Sequence, residues 1–224
     1  DTVSVYLGDD QGLHELSKTR WPHSLGIFYL FATQYLGFRL GDEYKVMGMS
    51  AYGKPVYFPI LRPMITVTES AEVLLRETEH LSLENMAGSG YFAFLFTDKM
   101  RQVVPRRSKE GRILQEHLDF AASVQKLTEE VGVELALQAV KLTGVDNLAI
   151  AGGVGLNGLM NNRIRTSGVC RDFFVYPASS DDGTSVGAAQ VAAFCRNKYP
   201  PRRILSCYYG HEVTDDEAIR TLDE

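Results

Sequence analysis

The stretch NLAIAGGVGLNGLMNN, residues 147–162, constrains the fold of this chain more than any other. Its apolar run Leu148–Ala151 lacks the 3.6-residue rhythm of a helix, which indicates a short strand buried on both faces of a parallel sheet. Two glycines, Gly152 and Gly153, then end the strand. Because apolar residues return at helical spacing after this turn, we predict a helix that begins near Gly155 and packs one side on the sheet.

A glycine turn between a strand and a helix is a natural site for an anion. Glycines let a phosphate approach the backbone closely, and the first N–H groups of the helix have no partner within it. The spacing of Gly153, Gly155 and Gly158 also reads G-x-G-x-x-G, the dinucleotide fingerprint. That fingerprint needs an acidic residue at the end of the next strand, whereas Asp172 opens the strand DFFVY. We therefore predict a nucleotide site without the dinucleotide fold, and a tight turn without any ligand stays the alternative.

Length and composition set the class of protein. A chain of 224 residues has room for one large domain, or for one domain with a substantial insertion. The formal net charge of −5 and the hydrophobic content of 45% argue against disorder and against a surface that tracks nucleic-acid phosphates. The three cysteines show no C-x-x-C spacing, which fits reduced thiols in a cytoplasmic protein. No apolar run approaches ~18 residues and no signal peptide opens the chain, so we expect neither a membrane span nor secretion.

The N-terminal third predicts a hairpin followed by a buried helix. Residues Thr2–Leu7 alternate between apolar and polar side chains, as in a half-buried strand, and the loop GDDQG behind them indicates a returning second strand. Ser24 is the predicted N-cap of a helix that runs to about Leu36 and ends at Gly37. Since the chain begins with Asp1 rather than Met, we expect a piece of a longer protein.

The segment GDEYKVMGMSAYGK, which begins at Gly41, gathers charged residues and glycines around a short apolar stretch. In a functional interpretation, Glu43 or Lys45 holds a ribose or a phosphate at a helix start, because carboxylates suit hydroxyls and lysine suits phosphate. In the structural alternative, Asp42 is an N-cap, Glu43 complements the helix dipole and Lys45 is solvated.

The remainder of the chain reads as alternating helices and strands. The irregular residues 55–108 predict an inserted subdomain, and residues 117–142 predict a long amphipathic helix that ends at Gly144. The short strand 173–176 follows the helix after the glycine turn. This order predicts parallel pairing of the two strands, with ligands at their carboxyl ends. The apolar stripe of the long helix comprises Phe120, Val124, Leu127, Val131 and Leu135.

A polar loop, PASSDDGTSVGAA, follows the last of these strands. If its carboxylates lie beside the glycine turn, Asp182 can bind a metal ion held against a nucleotide phosphate, which suits a hard cation or iron. The alternative from spacing alone is that Asp182 is the N-cap of the next helix, beside a turn glycine.

Four motifs in order, GDEYKVMGMSAYGKP, HLDFAASVQKLTEE, AGGVGLNGLMNNRI and PASSDDGTSVGAA, resemble the O-carbamoyltransferases of nodulation-factor and antibiotic biosynthesis. The resemblance implies an α/β fold, namely a ribonuclease-H-like lobe of the actin-like ATPase superfamily, with a mixed sheet flanked by helices and an inserted subdomain at about 55–108. Residues 1–204 would be mostly the second lobe, with part of its sheet edge unprotected, and residues 205–224 a linker and the start of a C-terminal domain. The stretch 90–107 keeps the family pattern only loosely.

The resemblance also implies a chemistry. Such enzymes build carbamoyl-adenylate from carbamoyl phosphate and ATP, and then pass the carbamoyl group to an acceptor hydroxyl. The expected cofactors are ATP or carbamoyl-adenylate and a divalent metal, iron by family analogy, with Asp182 as a metal ligand beside two histidines of an H-x-x-x-H helix. None of the five histidines of this chain form a pair at that spacing. The implied nucleotide-binding residues are Glu43, Lys45, Gly152, Gly153, Val154 and Asn157.

The expected partners follow from the same resemblance. They are carbamoyl phosphate, ATP, a small-molecule hydroxyl acceptor, and the first lobe and C-terminal domain of the same polypeptide, with neither nucleic acid nor membrane. No catalytic residue is assigned within this chain. Two other functions stay open: an enzyme related to tRNA threonylcarbamoylation or hydrogenase maturation, and a non-enzymatic nucleotide-binding domain. Consumption of a carbamoyl donor would separate the enzymes from the binding domain.

Overall fold

A computed structural model of the chain describes residues 2–76, 103–197, 210 and 212–223. The chain forms two compact units, residues Asp1–Ser180 and residues Asp181–Glu224. In the first unit the helices are α1 (Leu25–Tyr35), α2 (Glu43–Ser50), α3 (Phe58–Leu61), α4 (Gln115–Thr143) and α5 (Gly158–Thr166). Its strands are β1 (Val3–Asp9), β2 (Gly12–Thr19), β3 (Ile65–Val67), β4 (Val73–Leu75), β5 (Asn147–Ile150) and β6 (Asp172–Val175).

The strands form three small sheets of two strands each within the described residues. β1 and β2 make the predicted antiparallel hairpin, with Val3 opposite Thr19 and a register shift between Val5 and Tyr6. β3 pairs with β4 in a second antiparallel hairpin. β5 and β6 pair in parallel with Leu148 opposite Phe173, which confirms the predicted pairing of these two strands. The mixed α/β class is therefore confirmed, and the actin-like lobe stays a proposal.

Predicted helix ends are confirmed at α1 and α4. The Ser24 hydroxyl accepts a hydrogen bond from the Ile27 N–H at 3.2 Å, and this satisfies a donor that the first turn of α1 cannot. Behind α1, Gly37 takes φ +76°, and behind α4, Gly144 takes φ +68°. Both angles lie in the left-handed region that glycine adopts without strain, so each glycine ends its helix as the sequence predicts.

The core of the first unit is built around α4. Its predicted stripe is confirmed, because Phe120, Val124, Leu127 and Val131 are fully buried and Leu135 is partly buried against the same cluster. Four helices pack on α4, namely α1, α2, α3 and α5, and the strand β3 also contacts it. Burial of such side chains contributes about 1.5–3 kcal/mol each to folding, so the stripe decides where the neighbouring helices lie.

The described parts of the predicted insertion, residues 55–76 and 103–108, contribute to this core. Leu61, Ile65 and Val73 are fully buried in the same cluster as the α4 stripe. A 3₁₀ turn, Arg62–Met64, joins α3 to β3. The aromatic cluster predicted around Tyr91 lies outside the described residues, and the extent of the insertion and the boundary near residue 204 stay predictions.

The helix after the glycine turn begins later than predicted. Residues Gly153–Leu156 form a 3₁₀ turn, and α5 starts only at Gly158. The reason is Asn157, whose backbone is extended and whose side-chain oxygen accepts from the Met160 N–H at 2.9 Å. A capped helix start at this position leaves Gly153 and Gly155 outside the α-helix.

A large cavity separates β1 from β5. Among the described residues β1 pairs only with β2, and β5 only with β6, so each strand has an open edge. A cavity of about 900 Å³ is lined by the consecutive residues 2–8 of one strand and 147–151 of the other. Consecutive lining residues indicate strand edges rather than strand faces, because side chains of one face alternate. Its floor is a stripe of α4 that includes Leu135, Ala136 and Ala139.

The second unit contains two helices, α6 (Thr184–Asn197) and α7 (Asp215–Asp223), in its described part. A 3₁₀ turn of residues Asp181–Gly183 precedes α6. α7 begins with a capping box, since the Thr214 hydroxyl accepts from the Glu217 N–H while the Glu217 carboxylate accepts from the Thr214 N–H at 2.9 Å. Among the described residues of the chain, no helix has both the length and the apolar character needed to cross a membrane.

Candidate functional site

The glycine turn lies where β5 ends and meets the loop that follows β6. Gly152 takes φ +102°, and its N–H donates to the Ser179 carbonyl at 2.6 Å. The Gly155 N–H then donates to the Gly152 carbonyl at 2.9 Å, which closes the turn on itself. The carboxyl ends of the two parallel strands are thus neighbours, and this is the place where open α/β sheets bind ligands.

Backbone donors of this turn are available to an anion. The N–H groups of Gly153, Val154, Gly158 and Leu159 donate to no acceptor among the described residues. Gly153 and Gly158 are also exposed. A Cβ added at Gly153 would meet nothing nearer than the Ser180 hydroxyl at 3.6 Å, so the space in front of the backbone is open. Unpaired N–H groups before and at a helix start are the donors that phosphates use.

Gly155 has a packing role in the same turn. It is buried, and a Cβ there would lie 3.0 Å from the Ser179 Oγ and 3.4 Å from a methyl group of Ile150. The Ser179 hydroxyl is itself buried without a hydrogen-bond partner in the part of the chain that the structure describes. Glycine is therefore required at Gly155 so that the loop after β6 can pack against the turn.

Val154 takes part through its backbone rather than its side chain. The valine side chain is partly buried and points toward α1, where one methyl group lies 3.1 Å from the place of a Cβ on Gly26. A ligand at the turn can therefore meet the Val154 N–H, whereas the side chain fixes the turn against the core.

Asn157 is held by a second amide. Its Oδ1 accepts from Gln125 Nε2 at 3.0 Å, and its Nδ2 donates to Gln125 Oε1 at 2.9 Å. Gln125 is only 3% exposed on α4. Two more groups satisfy the remaining hydrogen-bonding capacity of the Gln125 amide. Tyr29 Oη donates to Gln125 Oε1 at 3.0 Å, and Gln125 Nε2 donates to Glu129 Oε1 at 3.0 Å. A buried amide with every donor and acceptor used is fixed in orientation.

Tyr29, on α1, is the buried hydroxyl beside this amide pair. Burial raises the pKa of the Tyr29 phenol well above its usual value, and the nearby carboxylates of Glu129 and Glu43 raise this pKa further, while the Asn157 amide opposes them. The Glu43 carboxylate on α2 is therefore close enough to the Tyr29 hydroxyl for its charge to raise the pKa of that hydroxyl, and a role of Glu43 in binding a nucleotide stays a prediction.

Lys45 is engaged within its own segment. Its Nζ lies 2.7 Å from Asp42 Oδ1, and it also lies 5.6 Å from the ring centroids of Phe38 and Tyr44. The hydrogen bond lowers the pKa of the Asp42 carboxyl and raises that of the Lys45 amine. Asp42 occupies the N-cap position of α2 but makes no side-chain cap, because its other oxygen accepts from the Arg39 N–H at 3.0 Å.

Asp182 lies on the 3₁₀ turn before α6 and is exposed. It belongs to the second unit, which begins at Asp181. Among the described residues no group of three or more histidine, cysteine, aspartate or glutamate side chains could hold a metal ion. The described residues therefore do not form a metal site by themselves, and an ion at Asp182 would need ligands from elsewhere in the polypeptide.

Sequence reasoning missed the residues that support the turn. Gln125 lies on the buried face of α4, between Val124 and Leu127, so a polar residue within an apolar stripe was the available signal. Its partners could not be read from spacing, because Tyr29 is 96 residues away and Asn157 is 32 residues away.

The chain matches a known protein family over most of its length. The family model described as "Carbamoyltransferase N-terminus" matches residues 2–190. This chain belongs to that family. The resemblance inferred from the four motifs is therefore confirmed, and the matched region contains α2, the glycine turn and Asp182.

Three relatives extend the comparison. The chain is 32% identical over 227 residues to an uncharacterized protein of Synechocystis, sll1178, and this match covers 96% of the chain and 35% of that protein. It is 32% identical over 222 residues to the nodulation protein NolNO of Sinorhizobium fredii, covering 98% of the chain and 30% of the relative. The nodulation protein NolO of Bradyrhizobium diazoefficiens is 32% identical over 201 residues, 88% of the chain and 33% of the relative. The chain thus spans about a third of the length of these relatives.

Proposed function

We propose that this chain is the nucleotide-holding second lobe of an ATP-dependent O-carbamoyltransferase with an actin-like fold. The observation that carries the proposal is the open backbone at Gly153 and Val154, whose N–H groups lie at the joint carboxyl ends of β5 and β6 in a member of the carbamoyltransferase family. A phosphate group of ATP or of carbamoyl-adenylate is the anion that this family chemistry supplies to such a turn.

The residues of the chain have distinct roles in this proposal. The N–H groups of Gly153 and Val154 donate to a phosphate oxygen, and the glycine at position 152 lets the chain turn beneath it. Glu43, at the first position of α2, accepts from a ribose hydroxyl. Lys45 contributes positive charge near the phosphates, reduced by its ion pair with Asp42. Asn157 supports the start of α5 by capping it.

The proposed reaction is acyl transfer. The acceptor hydroxyl oxygen attacks the carbonyl carbon of carbamoyl-adenylate, the bond from that carbon to the phosphate oxygen breaks, and AMP leaves with the electron pair while the hydroxyl proton passes to a base. Negative charge grows on the leaving phosphate, and fixed backbone donors stabilise such charge without reorganising. A divalent metal, iron by family analogy, would supply Lewis acidity, with Asp182 as one of its ligands. The acceptor is a small-molecule hydroxyl.

Turnover by the full-length protein tests the proposal. The protein is incubated with carbamoyl phosphate and ATP, with and without candidate hydroxyl acceptors, and the products are followed by mass spectrometry. We expect consumption of both substrates and a carbamoylated acceptor. Binding of ATP without any consumption of carbamoyl phosphate would contradict the enzyme and favour a nucleotide-binding domain, and use of a threonylcarbamoyl group instead would point to the related enzymes of tRNA modification.

A further inference from the structure

The amide pair between Gln125 and Asn157 has a function that the packing of the core does not require. Gln125 lies on the face of α4 that is otherwise apolar, with the fully buried Val124 and Leu127 as neighbours. Burying an amide is costly unless each of its polar atoms finds a partner. An aliphatic residue would fill this position without that condition, so the glutamine is explained by what it holds.

What it holds is the start of α5. Asn157 Oδ1 accepts two hydrogen bonds, one from the Met160 N–H at 2.9 Å and one from Gln125 Nε2 at 3.0 Å. The first bond caps α5 and the second fixes the rotation of the asparagine amide. The position of the capping oxygen, and with it the direction of the first N–H groups of α5, is therefore set from α4.

Glu129 fixes which side of the Gln125 amide is the nitrogen and which is the oxygen. A carboxylate accepts hydrogen bonds and, when ionised, donates none, so it selects the Nε2 side of the Gln125 amide at 3.0 Å. The Tyr29 hydroxyl donates to the opposite side, Oε1, at 3.0 Å. A flipped amide would place its oxygen against the Glu129 carboxylate, which is unfavourable. The pair with Asn157 thus has one orientation only.

We propose that Gln125 is a positioning residue of the nucleotide site, which holds the Asn157 amide and through it the glycine turn and the N-terminus of α5 in their ligand-binding geometry. This inference rests on the proposed function of the turn. In it, Asn157 acts on a nucleotide through the backbone donors that it orders, and Tyr29 and Glu129 act through Gln125.

The test uses the full-length protein and two matched substitutions on the same helix. Gln125→Met keeps the length of the side chain and removes its four hydrogen bonds. Gln138→Met makes the same change on α4 at a residue that has no hydrogen bond from its side chain within the described residues. ATP affinity is measured by isothermal titration, and amide hydrogen exchange of residues 153–160 is measured without nucleotide. We expect Gln125→Met to weaken ATP binding about tenfold and to speed exchange at the turn, with Gln138→Met unchanged.

A double-mutant cycle separates positioning from a purely structural role. Asn157→Asp keeps a capping oxygen and removes the donor to Gln125. If the pair acts as a unit, the double variant binds ATP no more weakly than the weaker-binding single variant. Effects that add on the logarithmic scale would overturn the inference, because Asn157 would then contribute independently of Gln125. So would wild-type ATP affinity together with wild-type exchange in Gln125→Met.

Two further outcomes keep the tests of the two proposals apart. If the wild-type protein binds no ATP, the proposed function fails, and the inference is then decided by exchange alone, with unchanged exchange at residues 153–160 in Gln125→Met overturning it. If Gln125→Met does not fold, Tyr29→Phe removes a single hydroxyl donor from the same amide and is expected to weaken ATP binding about threefold, with an unchanged affinity counting against the inference.

Discussion

At the scale of single residues, the glycine turn separates positions that face a ligand from positions that face the core. Gly153 has open space where a side chain would begin, whereas Gly155 is closed in by Ser179. Two glycines of one motif therefore have different reasons for being glycine. The first is free for an approaching anion, and the second is required by packing.

Gly153→Val is expected to weaken ATP binding by the full-length protein at least tenfold while lowering the free energy of unfolding by less than about 1 kcal/mol. The added side chain reduces the space in front of the Gly153 backbone, whereas its Cβ meets only the Ser180 hydroxyl, at the distance of an ordinary contact. Isothermal titration and thermal melting on one preparation check this. Gly155→Val is the contrast, since both affinity and melting temperature should fall there. Equal losses in both measurements for Gly153→Val would make that glycine structural.

Asp182→Asn in the full-length protein is expected to cost metal binding and carbamoyl transfer with little change in folding. The substituted amide has lost the anionic charge that a metal ligand supplies, whereas it caps a helix about as well as aspartate. Metal content by plasma emission and carbamoyl transfer are measured together. Asp181→Asn, one residue earlier on the same 3₁₀ turn, is the matched control. Full metal occupancy with normal transfer in Asp182→Asn would leave Asp182 as a helix cap.

At the scale of elements, Gly48 and Gly53 differ in how closely the backbone around α2 approaches α4. A Cβ on Gly53 would lie 2.0 Å from the Leu118 carbonyl oxygen, so the chain touches the first turns of α4 there. The Lys54 N–H donates to Asp119 Oδ1 at 2.8 Å beside it. Gly48, within α2, has nothing within 4 Å of its Cβ position.

Opposite effects on stability are therefore expected from the same substitution. Gly53→Ala should lower the free energy of unfolding by about 3 kcal/mol, because backbone atoms cannot move aside as a flexible side chain can. Gly48→Ala should raise it by about 0.5–1 kcal/mol, because alanine favours an exposed helix position. Urea unfolding of both variants measures the two values. A Gly53→Ala protein as stable as the wild type would show that α2 does not lie as closely on α4 as the structure has it.

The sequence predicted those elements whose signals are local. The Ser24 cap, the α4 stripe and the parallel pair β5–β6 follow from spacing within one segment or from the order of elements. The start of α5 was misplaced because glycines permit both a 3₁₀ turn and a helix, and the cap at Asn157 decides between them. The Gln125 pair could not be predicted, because it depends on how α1, α4 and α5 pack in three dimensions.

At the scale of the whole molecule, the main feature is that β1 and β5 each have one edge without a partner strand among the described residues. An unpaired strand edge offers a row of N–H and C=O groups to another chain. The cavity between the two edges is lined on one side by apolar residues of α4, which no residue in the described part of the chain covers.

We expect the 224-residue chain by itself to self-associate in solution through these edges. Ser4→Lys places a charge on the lining of the cavity and should shift the chain toward the monomer, because edge lysines oppose strand pairing. Tyr52→Lys, at a residue that is 76% exposed and does not line the cavity, is the control. Sedimentation velocity at several concentrations measures the change. A wild-type chain that stays monomeric at every concentration would show that the edges are covered.

α4 has a consequence for how such a site can open. It is 29 residues long, about 43 Å at 1.5 Å per residue, and it carries α2 near its beginning and α5 near its middle, where Gly132 lies against Met160. Glu43 and the glycine turn therefore belong to segments whose helices both pack on α4. In the proposed function, we therefore expect release of a bound nucleotide to leave these two segments in place relative to each other, because parting them would uncover the apolar stripe of α4.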